Sequence, residues 1–591
     1  MSWSKIGGPA HSLAIFANRL VALTPDRQAV YMRDPSSGAW KQIGGPASAL
    51  VGSAWDLYAV APGGGDLWRY DGKAWTKVGG PGAQFVGICN AVYALNPDCT
   101  KLYRFDRYSG GWKQIGGPAH AIIGGGSKVY AAAPSNAELW EYSRYLGNWE
   151  KIGGAGSMWV GVGGTVYGLT PDKSAVYKYN GKPGSWTKAG GPAASLIGGG
   201  SFLYATQPGT GKLWRYSGKG EQWDEVGTPG TGFVAVGRTI YGMTTDKSEV
   251  YQFNDDNAES KRLRDLLYSV YARSEFGNRV VRGFLVKRMG GDVLAEHCSD
   301  LCFQPLSTLK LLPYVHALIE VDKQNASMSN TKVTWVQPIT GTAAQKADTT
   351  CLTASSPGTE PGSATLADAL PTMMWESHNR TLDAVLNKYG PAKITARAQE
   401  LGLTQTEMYF GCPQPGGPQQ PWADNISTLT DIAHLFEGIE DQKFVTAAST
   451  REAFRDNMIV LDAAPGTSYT SPITGRMTGP LSNEFLRPII EREAGAAKLA
   501  IVADFMKHVV VRGKGGSGGP SGDEVGKSDF LQVSLPFKVN GVIVIRKFVV
   551  GWFVCQLRSA SASVQQPEDQ AFETFRLEIH TVPIRLALKT W

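Results

Sequence analysis

Over the first 255 residues, short runs in which apolar and polar positions alternate are broken again and again by Gly, Pro, Asn and Asp. A period of two bounded by turn residues predicts brief antiparallel strands, not helices. The pattern also repeats on a longer scale. Trp3, Trp40, Trp75, Trp112, Trp149, Trp186 and Trp223 recur about every 37 residues, and five of the seven open the same phrase: "WSKIGGP", "WKQIGGP", "WTKVGGP", "WKQIGGP" and "WTKAGGP". A second column, Tyr31, Trp68, Tyr103, Trp140, Tyr177, Trp214 and Tyr251, keeps step with the first. Seven units of this length, with about four strands each, predict an all-β seven-bladed propeller whose last blade is completed by the strand near Trp3.

Past "VYQFNDDNAESKR" the period is lost, and Leu263, Leu266, Leu267 and Val270 fall on one side of a helix, so a new domain is expected to begin near residue 257. "RVVRGFLVKR" and "DVLAEHC" read as strands, residues from about 305 to 500 as mainly helical, and "HVVVRGKGG", "DFLQVSLPFKV" and "GVIVIRKFVVGWFV" as strands again before a final helix ending at Trp591. Strands at both ends enclosing helices predict an α+β domain, an antiparallel sheet with a helical subdomain. The Gly/Ser/Pro run 513–522 reads as a loop between strands and "TASSPGTEPGSATL" (353–366) as an exposed insertion. The expected organisation is therefore multidomain, 1–255 followed by 258–591.

Composition changes this picture little. Charged residues make up 19% of the 591 and the formal net charge is +6, without a long basic run, which argues against a nucleic-acid partner. No run of about 18 apolar residues predicts a membrane span, and the opening "MSWSKIGGPAH" lacks the pattern of a secretory signal. The seven cysteines do not cluster as two CxxC pairs, so no zinc site and no other cofactor is expected. His297, His316 and His508 show no spacing to one another or to an acid that suggests catalysis, and are read as structural.

The phrase "W-x-x-I/V-G-G-P" followed by "V/L-Y-A/G-L-x-P-D" resembles the tectonin repeat of lectin-like β-propellers, over about residues 1–255. That resemblance implies a glycan or glycosylated surface as partner. Aromatic columns at repeat spacing are blade packing first, so no sugar-contacting residue is assigned.

In the second domain, Ser307 and Lys310 in "PLSTLKLLPYVHAL" are one helical turn apart, which sets the lysine amine beside the serine hydroxyl. Serine needs such a base at neutral pH, and a buried lysine flanked by another cation can lose its proton there. Taken alone the pair says little. It is followed in order by Ser377-His378-Asn379 and by Lys514-Gly515-Gly516 at the end of a strand-like run. The set resembles the S-x-x-K, S-D-N and K-T-G motifs of class A β-lactamases and penicillin-binding proteins, over about residues 258–591. The resemblance implies an α/β/α sandwich with a helical subdomain and these roles: Ser307 nucleophile, Lys310 base, Ser377 proton relay, Asn379 holding substrate and Lys310, Lys514 supplying positive potential, and the strand at Gly516 and Ser517 binding substrate. The backbone amides of Ser307 and Ser517 would be the oxyanion donors, worth roughly 3 kcal/mol each.

Two departures from that family bear on activity. His378 stands where Asp is usual and Gly515 where Thr or Ser is usual, the latter removing a hydroxyl expected to hold a substrate carboxylate. The stretch "TQTEMYFGCPQPGGPQQPWADN" also lacks the E-x-x-L-N motif that supplies a deacylating base; Glu407 is the one acid in its first half and reads as a solvated loop residue. The expectation is a serine hydrolase acting on an ester or amide, a cell-wall peptide included, through an acyl-serine, without efficient β-lactam turnover. The alternative is a binding protein whose hydrolase-like domain is inert or only traps acyl groups. Cys351 with Cys412 would pin the loop after the second motif, and Cys298 with Cys302 would close a short loop, the other reading of both pairs being reduced thiols. A secreted or periplasmic home, with its signal absent from this sequence, is expected ahead of a cytoplasmic one.

Overall fold

The computed structural model describes residues 3–106, 110–135, 137–144, 146–228, 230–271, 280–340, 358–409, 425–461, 469–473, 477–478, 483–518, 524–557 and 573–591. By its contacts the chain divides into two units, Met1–Gly283 with His297–Phe303, and Phe284–Glu296 with Gln304–Trp591. The repeat ends with the strand Val250–Asn254, and the helix Ala258–Tyr271 clusters with the first unit.

Among its described residues the first unit contains seven four-stranded sheets. Six are built from consecutive strands, as in Gln84–Ile88, Ala91–Leu95, Leu102–Phe105 and Trp112–Gly116, each antiparallel to the next. The seventh joins Thr231–Val236, Thr239–Met243 and Val250–Asn254 to Ser4–Gly7 from the start of the chain. The second strand of a unit is the most buried: Arg19–Leu23 and Ala91–Leu95 are covered at every position.

The Trp column ties sheet to sheet. Trp40 Nε1 donates to Ile6 O at 2.9 Å, Trp75 to Ile43 O at 2.7 Å, Trp112 to Val78 O at 2.7 Å and Trp149 to Ile115 O at 2.7 Å. Trp186 donates to Ile152 O at 2.9 Å, Trp223 to Ala189 O at 2.8 Å and Trp3 to Val226 O at 2.8 Å, which returns the chain of contacts to its start. Each acceptor precedes the first glycine of a G-G phrase or its counterpart Gly227, and a Cβ on these glycines would lie between 2.3 and 3.2 Å from the indole. The second glycine is under no such demand: at Gly8, Gly45, Gly80, Gly117, Gly154 and Gly191 a Cβ would meet nothing within 4 Å, and the last unit has Thr228 there. The indoles are thus packing residues between sheets.

Residues 297–303 belong to the same unit. Asn18 Nδ2 donates to Arg282 O at 2.8 Å and to Cys298 Sγ at 2.9 Å, and Trp55 Nε1 to Cys302 O at 3.3 Å. This packing brings Cys302 to Cys89, Cα to Cα 5.8 Å, and the two form a disulfide. The bridge considered between Cys298 and Cys302 is therefore not made. Cys351 and Cys412 lie outside the described residues.

The second unit is built on a six-stranded sheet in the order Val293–His297, Val280–Arg288, Val542–Leu557, Glu524–Val539, Val510–Gly518, Ile459–Leu461. Its last three pairings are antiparallel. The helix Leu311–Asp322 is buried on every side from Leu311 to Ile319, as befits an apolar helix inside a domain. Two expectations are corrected. Residues 513–518 continue a strand instead of forming a loop, and Thr359–Thr365 pairs with Lys332–Pro338 as a hairpin instead of an exposed insertion. Low-complexity composition misled in both places, because ladder pairing with a partner strand outweighs weak intrinsic preference. Among the described residues no helix is long and apolar enough to cross a membrane.

The contrast within each G-G phrase is measurable. Gly190→Ala sets a Cβ 2.6 Å from Trp223 Nε1 and is expected to destabilise the chain by about 1–3 kcal/mol, whereas Gly191→Ala should stay within about 0.5 kcal/mol of the parent; thermal denaturation followed by circular dichroism separates the two.

Candidate active site

Ser307 stands in a short 3-10 turn, Leu306–Lys310, that runs into the helix Leu311–Asp322. Residues three apart eclipse in such a turn, and Lys310 Nζ lies 3.2 Å from Ser307 Oγ. Leu306, just before the nucleophile candidate, is held at φ 54°, a left-handed conformation that costs a non-glycine residue roughly 1 kcal/mol. The strand Val510–Gly518 fixes this turn. A Cβ on Gly516 would lie 2.8 Å from Ser307 N, 2.9 Å from Pro305 O and 3.0 Å from Thr308 N, so only glycine lets strand and turn touch. Thr308 Oγ1 and Ser528 Oγ share a hydrogen bond at 2.8 Å, and Ser528 Oγ donates to Pro305 O at 2.9 Å.

Ser377 sits between the helices Leu366–Trp375 and Asn379–Tyr389, also left-handed at φ 56°. It does not cap the second helix. His378 does, its Nδ1 accepting from Thr381 N at 3.2 Å, which is the service an N-cap Asp would render. Histidine in the middle motif thus preserves the turn that presents its neighbours. Lys310 Nζ donates to Asn379 Oδ1 at 2.7 Å and to the Ser377 carbonyl, and lies 3.0 Å from Ser377 Oγ.

Lys310 is 1% exposed. Burial, reinforced by the like charge of Lys514 and opposed by Asp383, pushes its amine well below the ordinary lysine range. Lys514 is also buried, and burial lowers it to about 8 against the pull of Asp529.

A cavity of about 510 Å³ opens over these groups, and Ser307, Ser377, Asn379, Lys514 and Gly516 all line it. Lys310 lies beneath. Ser517 is placed by its backbone, on the same strand opposite Lys527. Glu376, Gly515, Lys527, Ser528 and Asp529 complete the described lining. The acids and Lys527 were not singled out from sequence. Asp529 and Lys527 had a signal: they are alternate positions of one strand, 15 and 13 residues past Lys514, in the hairpin partner of its strand. Glu407 is buried instead of solvated; its carboxylate accepts from Tyr409 Oη, its backbone pairs with Ile426, and it is not among the described residues lining the cavity. His297, beside Tyr268 Oη at 3.2 Å, is driven by burial well below its usual range, and burial takes His316 to about 4. Both are neutral interior residues. Among the described residues no group of His, Cys, Asp and Glu is arranged to hold a metal ion.

Residues 258–458 match the model of the Beta-lactamase enzyme family. The match supports a serine hydrolase of the penicillin-recognising, class A β-lactamase-like type for this part of the chain. Similar solved structures include a β-lactamase from Sphaerobacter thermophilus, 14% identical over 55% of this chain and 96% of that one with a TM-score of 0.36. A β-lactamase from Burkholderia vietnamiensis is 17% identical over 57% and 98%, with a TM-score of 0.37. PBP-A, in a mutant form as its acyl-enzyme complex with penicillin G, is 15% identical over 56% and 97%, with a TM-score of 0.34. No curated protein matches the chain.

The electrostatics give a pH prediction. An amine must be unprotonated to accept a proton, so labelling of Ser307 by a fluorophosphonate should rise with pH through the Lys310 pKa, well below that of free lysine. Lys514→Gln removes the like charge, lets Lys310 bind its proton more tightly, and should move the midpoint to higher pH; intact-mass labelling rates across pH 5–10 check the direction.

Proposed function

We propose that the second unit hydrolyses an ester or amide through an acyl intermediate on Ser307, with Lys310 as base. The observation that carries this reading is the Lys310 amine, buried, depressed in proton affinity, and within reach of Ser307, Ser377 and Asn379 at once. A neutral amine has two N–H bonds and one lone pair. The Ser377 carbonyl and Asn379 Oδ1 can only accept, so they take the N–H bonds and leave the lone pair for a hydroxyl. As Ser307 Oγ adds to the substrate carbonyl carbon, its proton passes to Nζ. Ser377 then hands a proton to the departing alcohol or amine and is resupplied from Lys310. The C–O or C–N bond breaks, leaving acyl-Ser307, which water hydrolyses. Lys514 offsets the negative charge of the oxyanion, and the Ser307 and Ser517 amides are its proposed donors, the contact of Gly516 with Ser307 N supporting their closeness.

A second reading, an acyl trap, is favoured by one observation: the Glu407 carboxylate is engaged with Tyr409 and stands off the described cavity. Residues 410–424 lie outside the described residues.

For the first unit we propose a tectonin-like seven-bladed propeller that binds glycans and so concentrates the hydrolase on a glycosylated surface. Support comes from the seven sheets, the closing strand Ser4–Gly7 and the returning ring of Trp contacts. The Cys89–Cys302 disulfide favours a secreted or periplasmic home.

Intact mass after exposure to a fluorophosphonate should show one adduct on the parent chain and none on Ser307→Ala; equal labelling would remove Ser307 as nucleophile. With a penicillin, a mass increment that persists for hours supports the trap, and its loss within minutes supports turnover. The full chain applied to a glycan array should give saccharide-dependent signal, and a blank array would leave the first unit as a scaffold.

A further inference from the structure

The space left open by Gly515 is filled from the neighbouring strand. Gly515 pairs with Asp529 across the antiparallel ladder, and opposed residues share a face of the sheet. A Cβ on Gly515 would lie 2.8 Å from Asp529 Oδ1, so a side chain such as the third motif usually carries would have to displace the carboxylate. Asp529 lines the cavity that holds Ser307, and its side chain is 14% exposed. It is also held in place. Arg576 Nε donates to Oδ2 at 3.1 Å, while the Arg576 guanidinium lies 5.1 Å from the centre of the Phe485 ring and reaches Glu573 at 3.3 Å. Oδ1 takes no hydrogen bond from the described residues and lies over Gly515. Lys514, next along the strand, pairs with Phe530 and lines the same cavity, and its charge acts on both Lys310 and Asp529. Lys527 is on the Asp529 face but two ladder positions further, opposite Ser517. The end of the cavity over Gly515 therefore presents an immobilised acceptor.

We propose that Asp529 is a specificity-determining residue whose Oδ1 selects substrates bearing a protonated amine over Gly515 and turns away those bearing a carboxylate there. The inference rests on reading the cavity as an acyl-serine site, but its test does not need turnover. Ligand-observed NMR titration of the full-length Ser307→Ala chain with benzylamine and with benzoate should show benzylamine bound at least about tenfold more tightly, the size of one charge-assisted hydrogen bond. Asp529→Asn in the same background should bring the two ligands to within about twofold. Gly515→Ala, which displaces the carboxylate while keeping its charge pair with Arg576, should erode the preference too and stands in if Asp529→Asn does not fold. Benzoate binding as tight as benzylamine, no binding of benzylamine, or a preference untouched by these variants would overturn the proposal. Failure of any acylating probe to label the parent chain would instead sink the hydrolase reading, with the amine preference still decided by the titration.

Discussion

An ammonium ion buried next to a second cation is costly, and the cheapest relief is to give up its proton. Lys310 is under that pressure from the surrounding core and from Lys514, and the acceptors around it come from two distant segments, Ser307 on one turn and Ser377 and Asn379 around another. The other features of the second unit serve to keep this amine dry and those oxygens within reach. Gly516 allows the strand to lie against the Ser307 turn, Ser528 and Thr308 pin the turn from the side, and His378 holds the helix start that carries Asn379.

Strain is stored at the same two places. Leu306 and Ser377 both adopt left-handed backbone conformations without being glycine, and each flanks or carries a group that touches Lys310. Such conformations survive only where packing over-determines them. Here the close-fitting strand and the capped helix supply that packing, so a rigid scaffold pays for the alignment of three hydroxyl and amide oxygens about one nitrogen.

The first unit solves a different problem with one repeated contact. A four-stranded sheet has two faces to cover, and an indole seated on a bare glycine backbone covers one while satisfying a carbonyl at the edge of the next sheet. Seven such contacts return to Trp3, which is why the first strand is borrowed from the opposite end of the repeat. The Trp column is spent on this packing between sheets.

The number of repeats, the strand period and the order of Ser307-Lys310, Ser377-Asn379 and Lys514 were legible in the sequence, because periodicity and short spacing are local properties and a 3-10 or α turn brings residues three apart together in any context. Tertiary structure alone decided what meets across long separations. Cys302 finds Cys89 and not Cys298, Gly515 leaves room for Asp529, and Glu407 turns to Tyr409 instead of the cavity. The glycine-rich run 513–518 reads as a loop by composition and is a strand because it pairs along its length with the neighbouring strand, its glycines letting the Ser307 turn and the Asp529 carboxylate approach closely. Composition records the backbone freedom of a residue; only the packed neighbours determine whether that freedom is used for a turn or for close approach.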